Sequence, residues 1–260
     1  VATITRPDTV VVEEPLEIRV NGVSVTTSMR TPGDDFDLAI GHLLAEGLLR
    51  DAADVRTIMH CTDLGPDGSP TFNVVDLNLV PGAALLHEPA QRANVTSSAC
   101  GVCGKQSIED VLAHIGAGVG DDDLTVTPES LIAMVAELRT HQKVFERTGG
   151  IHAAGLFTAD GVCRVVREDV GRHNAVDKVI GWAAREGLLP LTGNILVVSS
   201  RAGFEIVQKA VAAGVPIVVA VSAATSLAID LANESGQTLV AFTRETSLAA
   251  YARPDRIKTS

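Results

Sequence analysis

The sequence predicts an α/β protein with a smaller β-rich N-terminal part, and three patterns carry that prediction. Leu16, Ile18 and Val20 alternate with polar residues, Asn21-Gly22 follows, and Val23 to Met29 alternates again, which is the pattern of a hairpin. Beyond Gly149-Gly150, short apolar runs take turns with stretches of helical spacing, as expected of a sheet covered by helices. Hydrophobic residues make up 46% of the 260 residues but aromatics only 3%, so the core must be built mainly from Ala, Val, Leu and Ile.

Taken in order, Phe36, Leu38, Ile40, Leu43, Leu44 and Leu48 recur at helical spacing after a candidate N-cap at Asp34 or Asp35, with a stop near Gly47. Val55 to His60 and Phe72 to Leu79 read as strands separated by a Pro66-Asp67-Gly68 turn. A cysteine-bearing loop comes next, then helical spacing through Ile108, Val111, Leu112 and Ile115. Gly116 to Asp123 has the composition of a linker, which divides the chain into residues 1–120 and 121–260. In the second part, Thr127-Pro128-Glu129 opens a helix through Leu131, Met134, Val135 and Leu138. Strands follow at 153–158, 162–166, 195–198, 217–221 and 238–242, with helices at 174–186, 204–213 and 225–233 between them.

The formal net charge of −11 argues against a surface that binds nucleic acid as a whole, so an anionic ligand would need a local basic pocket. No stretch reads as a signal segment or a membrane span, and a cytoplasmic location is expected. Of four cysteines, Cys61 and Cys163 are isolated and read as structural, whereas Cys100 and Cys103 form a C-x-x-C pair. Ala99, Gly101 and Gly104 leave room for another molecule to approach the sulfur, and Lys105 with a following helix N-terminus favours the thiolate. Nucleophilic or carrier chemistry fits this setting best. Zinc binding would need further ligands from His60, Cys61, His152, Cys163 or His173, which are scattered, and a redox dithiol or a structural pair are the other readings.

A second constellation joins Thr148-Gly149-Gly150-Ile151-His152 to Glu168-Asp169-Val170-Gly171-Arg172-His173-Asn174, continuing to Asp177-Lys178. Its density of polar residues at a strand–helix junction suggests a polar pocket. In the plainer reading Glu168, Asp169 and Asn174 cap a helix while Arg172 and Lys178 are surface charges. Ser199 to Glu205, Ser222 to Ser226 and Phe242 to Ser247 each follow a strand. The carboxyl ends of strands form the ligand crevice of open α/β sheets, so these turns, with Arg201 and Arg244, suit a phosphate-bearing ligand.

The runs M-R-T-P-G-D-D from Met29, C-G-V-C-G-K from Cys100, T-G-G-I-H-A-A from Thr148, E-D-V-G-R-H-N-A-V-D-K from Glu168 and S-A-A-T-S-L-A from Ser222 resemble the FdhD/NarQ family of formate dehydrogenase accessory proteins. The resemblance implies a mixed α+β fold whose larger part is cytidine-deaminase-like, and a cytoplasmic, homodimeric sulfurtransferase. It implies that a cysteine desulfurase loads Cys100 as a persulfide with Cys103 as its partner, and that the sulfur passes to the molybdenum cofactor needed by formate dehydrogenase. The cofactor, Mo-bis(molybdopterin guanine dinucleotide), is then a bound substrate, and no permanently bound metal is expected. The family's cofactor contact maps onto Phe242, Thr243, Arg244, Glu245, Thr246 and Ser247, with Arg172, His173 and Arg201 expected to meet the guanine nucleotide. A cofactor-binding chaperone without sulfur chemistry is the alternative. The deaminase signatures H-x-E and P-C-x-x-C are missing from the chain, which argues against deamination.

Overall fold

The computed structural model describes residues 6–62, 68, 71–87 and 119–258, and these form two mixed sheets with helices packed on them. The first sheet has the order β2-β1-β4-β3, built from β1 (Glu14–Val20), β2 (Val23–Arg30), β3 (Val55–Cys61) and β4 (Val74–Leu79). β1 and β2 make the expected hairpin; its Asn21-Gly22 turn has positive φ at both positions, which suits these two residues and matches the twist of the strands. Leu16, Ile18, Val75 and Leu77 bury one face of the sheet under Leu38, Ala39 and Leu43 of helix α1 (Asp35–Ala45).

The second sheet has the order β10-β9-β8-β7-β5-β6. Its strands are β5 (His152–Thr158), β6 (Cys163–Asp169), β7 (Asn194–Val198), β8 (Ile217–Ala220), β9 (Thr238–Arg244) and β10 (Ser247–Ala252). β7, β8 and β9 run parallel, whereas β5, β6 and β10 join antiparallel at the flanks. The period of two along a strand divides its side chains between two cores. Leu196, Val198, Val218, Ala220, Leu239 and Ala241 meet helices α4 (Arg172–Arg185), α5 (Phe204–Ala212) and α6 (Ser226–Ser235) on one face. Ile195, Val197, Ile217, Val219 and Val240 meet Leu131, Met134 and Leu138 of α2 (Pro128–His141) on the other. Thr127 caps α2 as its sequence suggests, accepting from the Ser130 N–H at 3.2 Å.

The two sheets are joined through α1 and α4, which cross at Gly41 and Gly181. A Cβ on Gly41 would lie 1.8 Å from the Asp177 carbonyl oxygen, and one on Gly181 1.8 Å from that of Asp37. Only glycine lets the backbones come this close.

Several expectations change. The last strand continues to Arg244 instead of ending at Phe242, a two-residue turn at Glu245-Thr246 follows, and β10 completes a hairpin. The alanine-rich run Ser247–Ala252 has little β-branched or aromatic character, so pairing with β9 makes the strand where local preference does not. The six-residue helix α3 (Lys143–Thr148) is too short for its period to be read from sequence. Helix α4 starts at Arg172, two residues before the expected Asn174. The Pro66–Gly68 turn except Gly68, the cysteine loop with Cys100 and Cys103, and the helix expected over 105–115 lie outside the described residues. No helix among the described residues is long and apolar enough to cross a membrane.

A candidate ligand crevice at one sheet edge

The carboxyl ends of β7, β8 and β9 open on one edge of the second sheet, and the turns after them are tied side by side. Ala202 bridges to Ala224; the Ala202 N–H donates to the Ala223 carbonyl at 3.0 Å, and the Phe242 N–H to that of Ser222, also at 3.0 Å. β5 and β6 bring the second constellation to the same edge. Ala153 N–H donates to Ser199 Oγ at 2.9 Å, and His152 pairs with Asp169 across the ladder. The structure therefore gathers His152, Arg172, His173, the turn holding Arg201, the Ser222 turn and the Phe242–Ser247 hairpin along one edge, as the strand-end reasoning expected.

Within this edge, His152, Arg172, His173 and Glu205 form a charged cluster. His173 Nε2 lies against the Glu205 carboxylate. The His173 contact, aided by Arg172 and Lys209, holds the Glu205 carboxyl below the usual range against the opposing effect of burial. Burial, with the positive charge of Arg172 and His173, lowers the pKa of His152. Glu205 stood in the quoted Ser199–Glu205 run but was not among the expected site residues; a carboxylate one turn after a basic turn was its only signal.

The scaffold beneath the cluster explains why the second motif is so polar. Asp169 is fully buried. Its Oδ1 accepts from Gly171 N–H at 2.8 Å and Asn174 Nδ2 at 3.0 Å; its Oδ2 accepts from Thr31 N–H at 3.1 Å and faces Lys178 Nζ at 2.8 Å. Asn174 also donates to the Met29 carbonyl at 2.8 Å, and Lys178 to that of Thr31 at 3.0 Å. The plainer reading thus does not hold: α4 has no side-chain cap, Asp169 and Asn174 instead tie its start to the first sheet, and two other residues also play different parts. Lys178 is 1% exposed and not a surface charge, and Glu168 serves a different helix, accepting from Val144 and Phe145 N–H at 2.9 Å each at the start of α3. The M-R-T-P-G-D-D run now has a structural reason. It fastens the first sheet to the N-terminus of α4, and Arg30 within it makes a buried two-point pair with Asp35 at 2.9 and 3.0 Å.

Phe242 and Thr243 sit where β9 and β10 slip register. Phe242 adopts φ 51°, uncommon for a bulky residue, and is 40% exposed, while Thr243 is buried at 1%. Thr243 thus belongs to a strand, not to the turn expected there. Arg201 and Arg244 are exposed.

Of the scattered zinc-ligand candidates, His152 and His173 share the charged cluster, but among the described residues no group of three or more His, Cys, Asp or Glu could hold a metal ion. His60 and Cys61 lie on β3 of the first sheet. His152 pairs with Asp169 and Cys163 with Phe157 at opposite ends of one ladder, roughly 20 Å apart at ~3.3 Å per residue. Cys61 and Cys163 are half-buried, and burial pushes the Cys163 thiol up, with Glu137 adding to it.

The chain thus combines a mixed α/β fold, basic side chains gathered at the strand ends of its second sheet and, in its sequence, a C-x-x-C pair, the features of a class of accessory protein. The chain belongs to the FdhD/NarQ family, whose model matches residues 11–258. It is 54% identical over 254 residues to the sulfur carrier protein FdhD of Mycolicibacterium paratuberculosis, covering 98% of this chain and 93% of that protein. It is 51% identical over 257 residues to the sulfur carrier protein FdhD of Streptomyces coelicolor, covering 98% and 91%. The fold matches a crystal structure from Desulfotalea psychrophila, described as a formate dehydrogenase accessory protein, with TM-score 0.75 and 24% identity over 99% of this chain and 97% of that one.

Proposed function

We propose that this protein is a cytoplasmic sulfur carrier for formate dehydrogenase maturation. It takes sulfane sulfur from a cysteine desulfurase on Cys100 and delivers it to the molybdenum cofactor held in the crevice. The observation that carries the reading is the C-x-x-C pair in a chain about half identical, over nearly its whole length, to proteins named as sulfur carriers. In the loading step the Cys100 thiolate attacks the outer sulfur of the donor's persulfide. A new S–S bond forms, the donor's S–S bond breaks, and the donor leaves as a thiolate, with no net change in oxidation state. In delivery, Cys103 attacks Cys100 at the inner sulfur, a Cys100–Cys103 disulfide closes, and sulfide is released toward the metal of the cofactor. A cellular dithiol then reduces the disulfide and resets the pair.

The crevice supports the second half of this reading. Arg172, His173, Arg201 and Arg244 supply donors for the phosphates of a guanine dinucleotide, and the Phe242–Ser247 hairpin supplies an exposed aromatic ring at the same edge. The local basic groups answer the problem posed by an acidic chain.

The test is mass spectrometry of the intact protein after incubation with a desulfurase and cysteine. A gain of ~32 Da, one sulfur atom, on the wild type and its loss in Cys100→Ala is the expected result. If the adduct and formate dehydrogenase activation survive Cys100→Ala and are lost in Cys103→Ala, the assignment is reversed. Cofactor binding with no sulfur adduct on any variant would make the protein a chaperone.

A further inference from the structure

We propose that the β9–β10 hairpin is a two-register switch at the crevice: the observed register holds Phe242 out at the edge, and a one-residue shift of the pairing withdraws its ring into the core. The link to ligand rests on the reading that the crevice takes the guanine dinucleotide; the two registers themselves do not.

Three observations on two adjacent residues carry this. Ala241 pairs with Ala249 and Arg244 with Ser247, so Phe242 and Thr243 together face the single residue Leu248, which is a β-bulge. Its first residue has φ 51°, the left-handed conformation that glycine takes in bulges of this kind, yet it is a phenylalanine and 40% exposed. Its second, Thr243, is 1% exposed and its Oγ1 has no hydrogen-bond partner, although a buried hydroxyl is normally bonded. A strained backbone, an apolar ring in water and an orphaned hydroxyl thus meet at one bulge.

One alternative pairing relieves all three. When the register of Val240 with Ala250 and Ala241 with Ala249 simply continues, Phe242 stands opposite Leu248 and Thr243 opposite Ser247. By the period of two, Phe242 then falls on the face of Val240, where Leu248 already packs against the same core. Thr243 gains the Ser247 hydroxyl across the strands, a pairing that stabilises sheets. The cost lies in the loop. The observed register closes with the two residues Glu245-Thr246, whereas the alternative needs three, Arg244-Glu245-Thr246, with no glycine for the left-handed position such loops use. Each register therefore carries a penalty that the other avoids, and a nucleotide that stacks on the exposed Phe242 ring selects the observed one.

The test is amide ¹⁵N relaxation dispersion on the wild type, Thr243→Val and Phe242→Gly, each with and without GDP. The free wild type should show μs–ms exchange confined to residues around 242–248. Both substitutions remove a penalty from the observed register alone, so each should lower the minor population, Thr243→Val by roughly fivefold or more. A hairpin merely loosened by substitution would exchange more, not less. Saturating GDP should quench the exchange in the wild type. Absence of exchange in the free wild type, or a larger minor population in Thr243→Val, overturns the proposal, as does exchange that persists unchanged with GDP bound. Exchange that responds to both substitutions in a protein that binds no GDP upholds the two registers and overturns the crevice reading instead.

Discussion

Replacing Asp169 by Asn changes one atom in the centre of the scaffold, and the structure says why that atom matters. Each carboxylate oxygen faces two donors: Oδ1 takes Gly171 N–H and Asn174 Nδ2, and Oδ2 takes Thr31 N–H and Lys178 Nζ. An Asn side chain turns its NH₂ toward one of these pairs whichever way it is rotated, so two donors lose their acceptor. The Lys178 ammonium, 1% exposed, also loses its counter-charge. Removing one partner of a buried ion pair costs about 3–5 kcal/mol, a large share of the ~5–15 kcal/mol that holds a domain folded. At roughly 2–4 °C per kcal/mol for a chain approaching this size, the thermal midpoint should drop on the order of 10 °C. Urea unfolding followed by circular dichroism measures the loss directly. The Asp169→Asn/Lys178→Met double variant is the internal control: with no ammonium left to bury, it should be less destabilised than Asp169→Asn alone. A single-variant loss below about 1 kcal/mol, or a double variant worse than the single, would refute the reasoning.

Gly181→Ala places a methyl group 1.8 Å from the Asp37 carbonyl oxygen, so α1 and α4 must separate. The urea midpoint should fall by at least the ~1–3 kcal/mol typical of overpacking. His152, its pKa lowered first by burial and then by Arg172 and His173, takes up fewer protons folded than unfolded. Its share of stability is full above the ordinary histidine value of 6.5 and is lost as pH falls toward the depressed folded value. A stability–pH curve should therefore flatten below pH 6.5 in His152→Gln. Glu205 acts lower on the scale: its contribution is full above 4.5 and disappears as pH falls through its lowered folded value, so Glu205→Gln should be less sensitive to that last acid step. Cys61→Ser/Cys163→Ser should keep its sulfur adduct, since these half-buried thiols stand on different sheets and burial raises that of Cys163. Loss of the adduct in that variant would implicate one of them in transfer.

The sequence by itself determined the local elements and the chemistry of the motifs. The β1–β2 hairpin was legible because Asn-Gly between two alternating runs has few other solutions, and β7 and β8 because short apolar runs between helical stretches are buried from both faces. It also determined that the basic turns belong at the carboxyl ends of parallel strands, because chain direction and strand order go together in such sheets. The residues of C-x-x-C and of the Gly171–Asn174 run carried the family resemblance unaided.

Tertiary structure decided which polar residues touch ligand space and which only hold the frame. Asp169, Asn174 and Lys178 read in sequence as caps and surface charge, yet they are buried and bind Met29 and Thr31, more than 130 positions away. No local pattern encodes a partner at that separation. β10 and the burial of Thr243 follow from pairing with β9, because an alanine-rich segment gains strand geometry only from a neighbour's free edge. The meeting of His173 with Glu205 likewise depends on two helices starting side by side, which the topology of the sheet sets and the spacing along the chain does not.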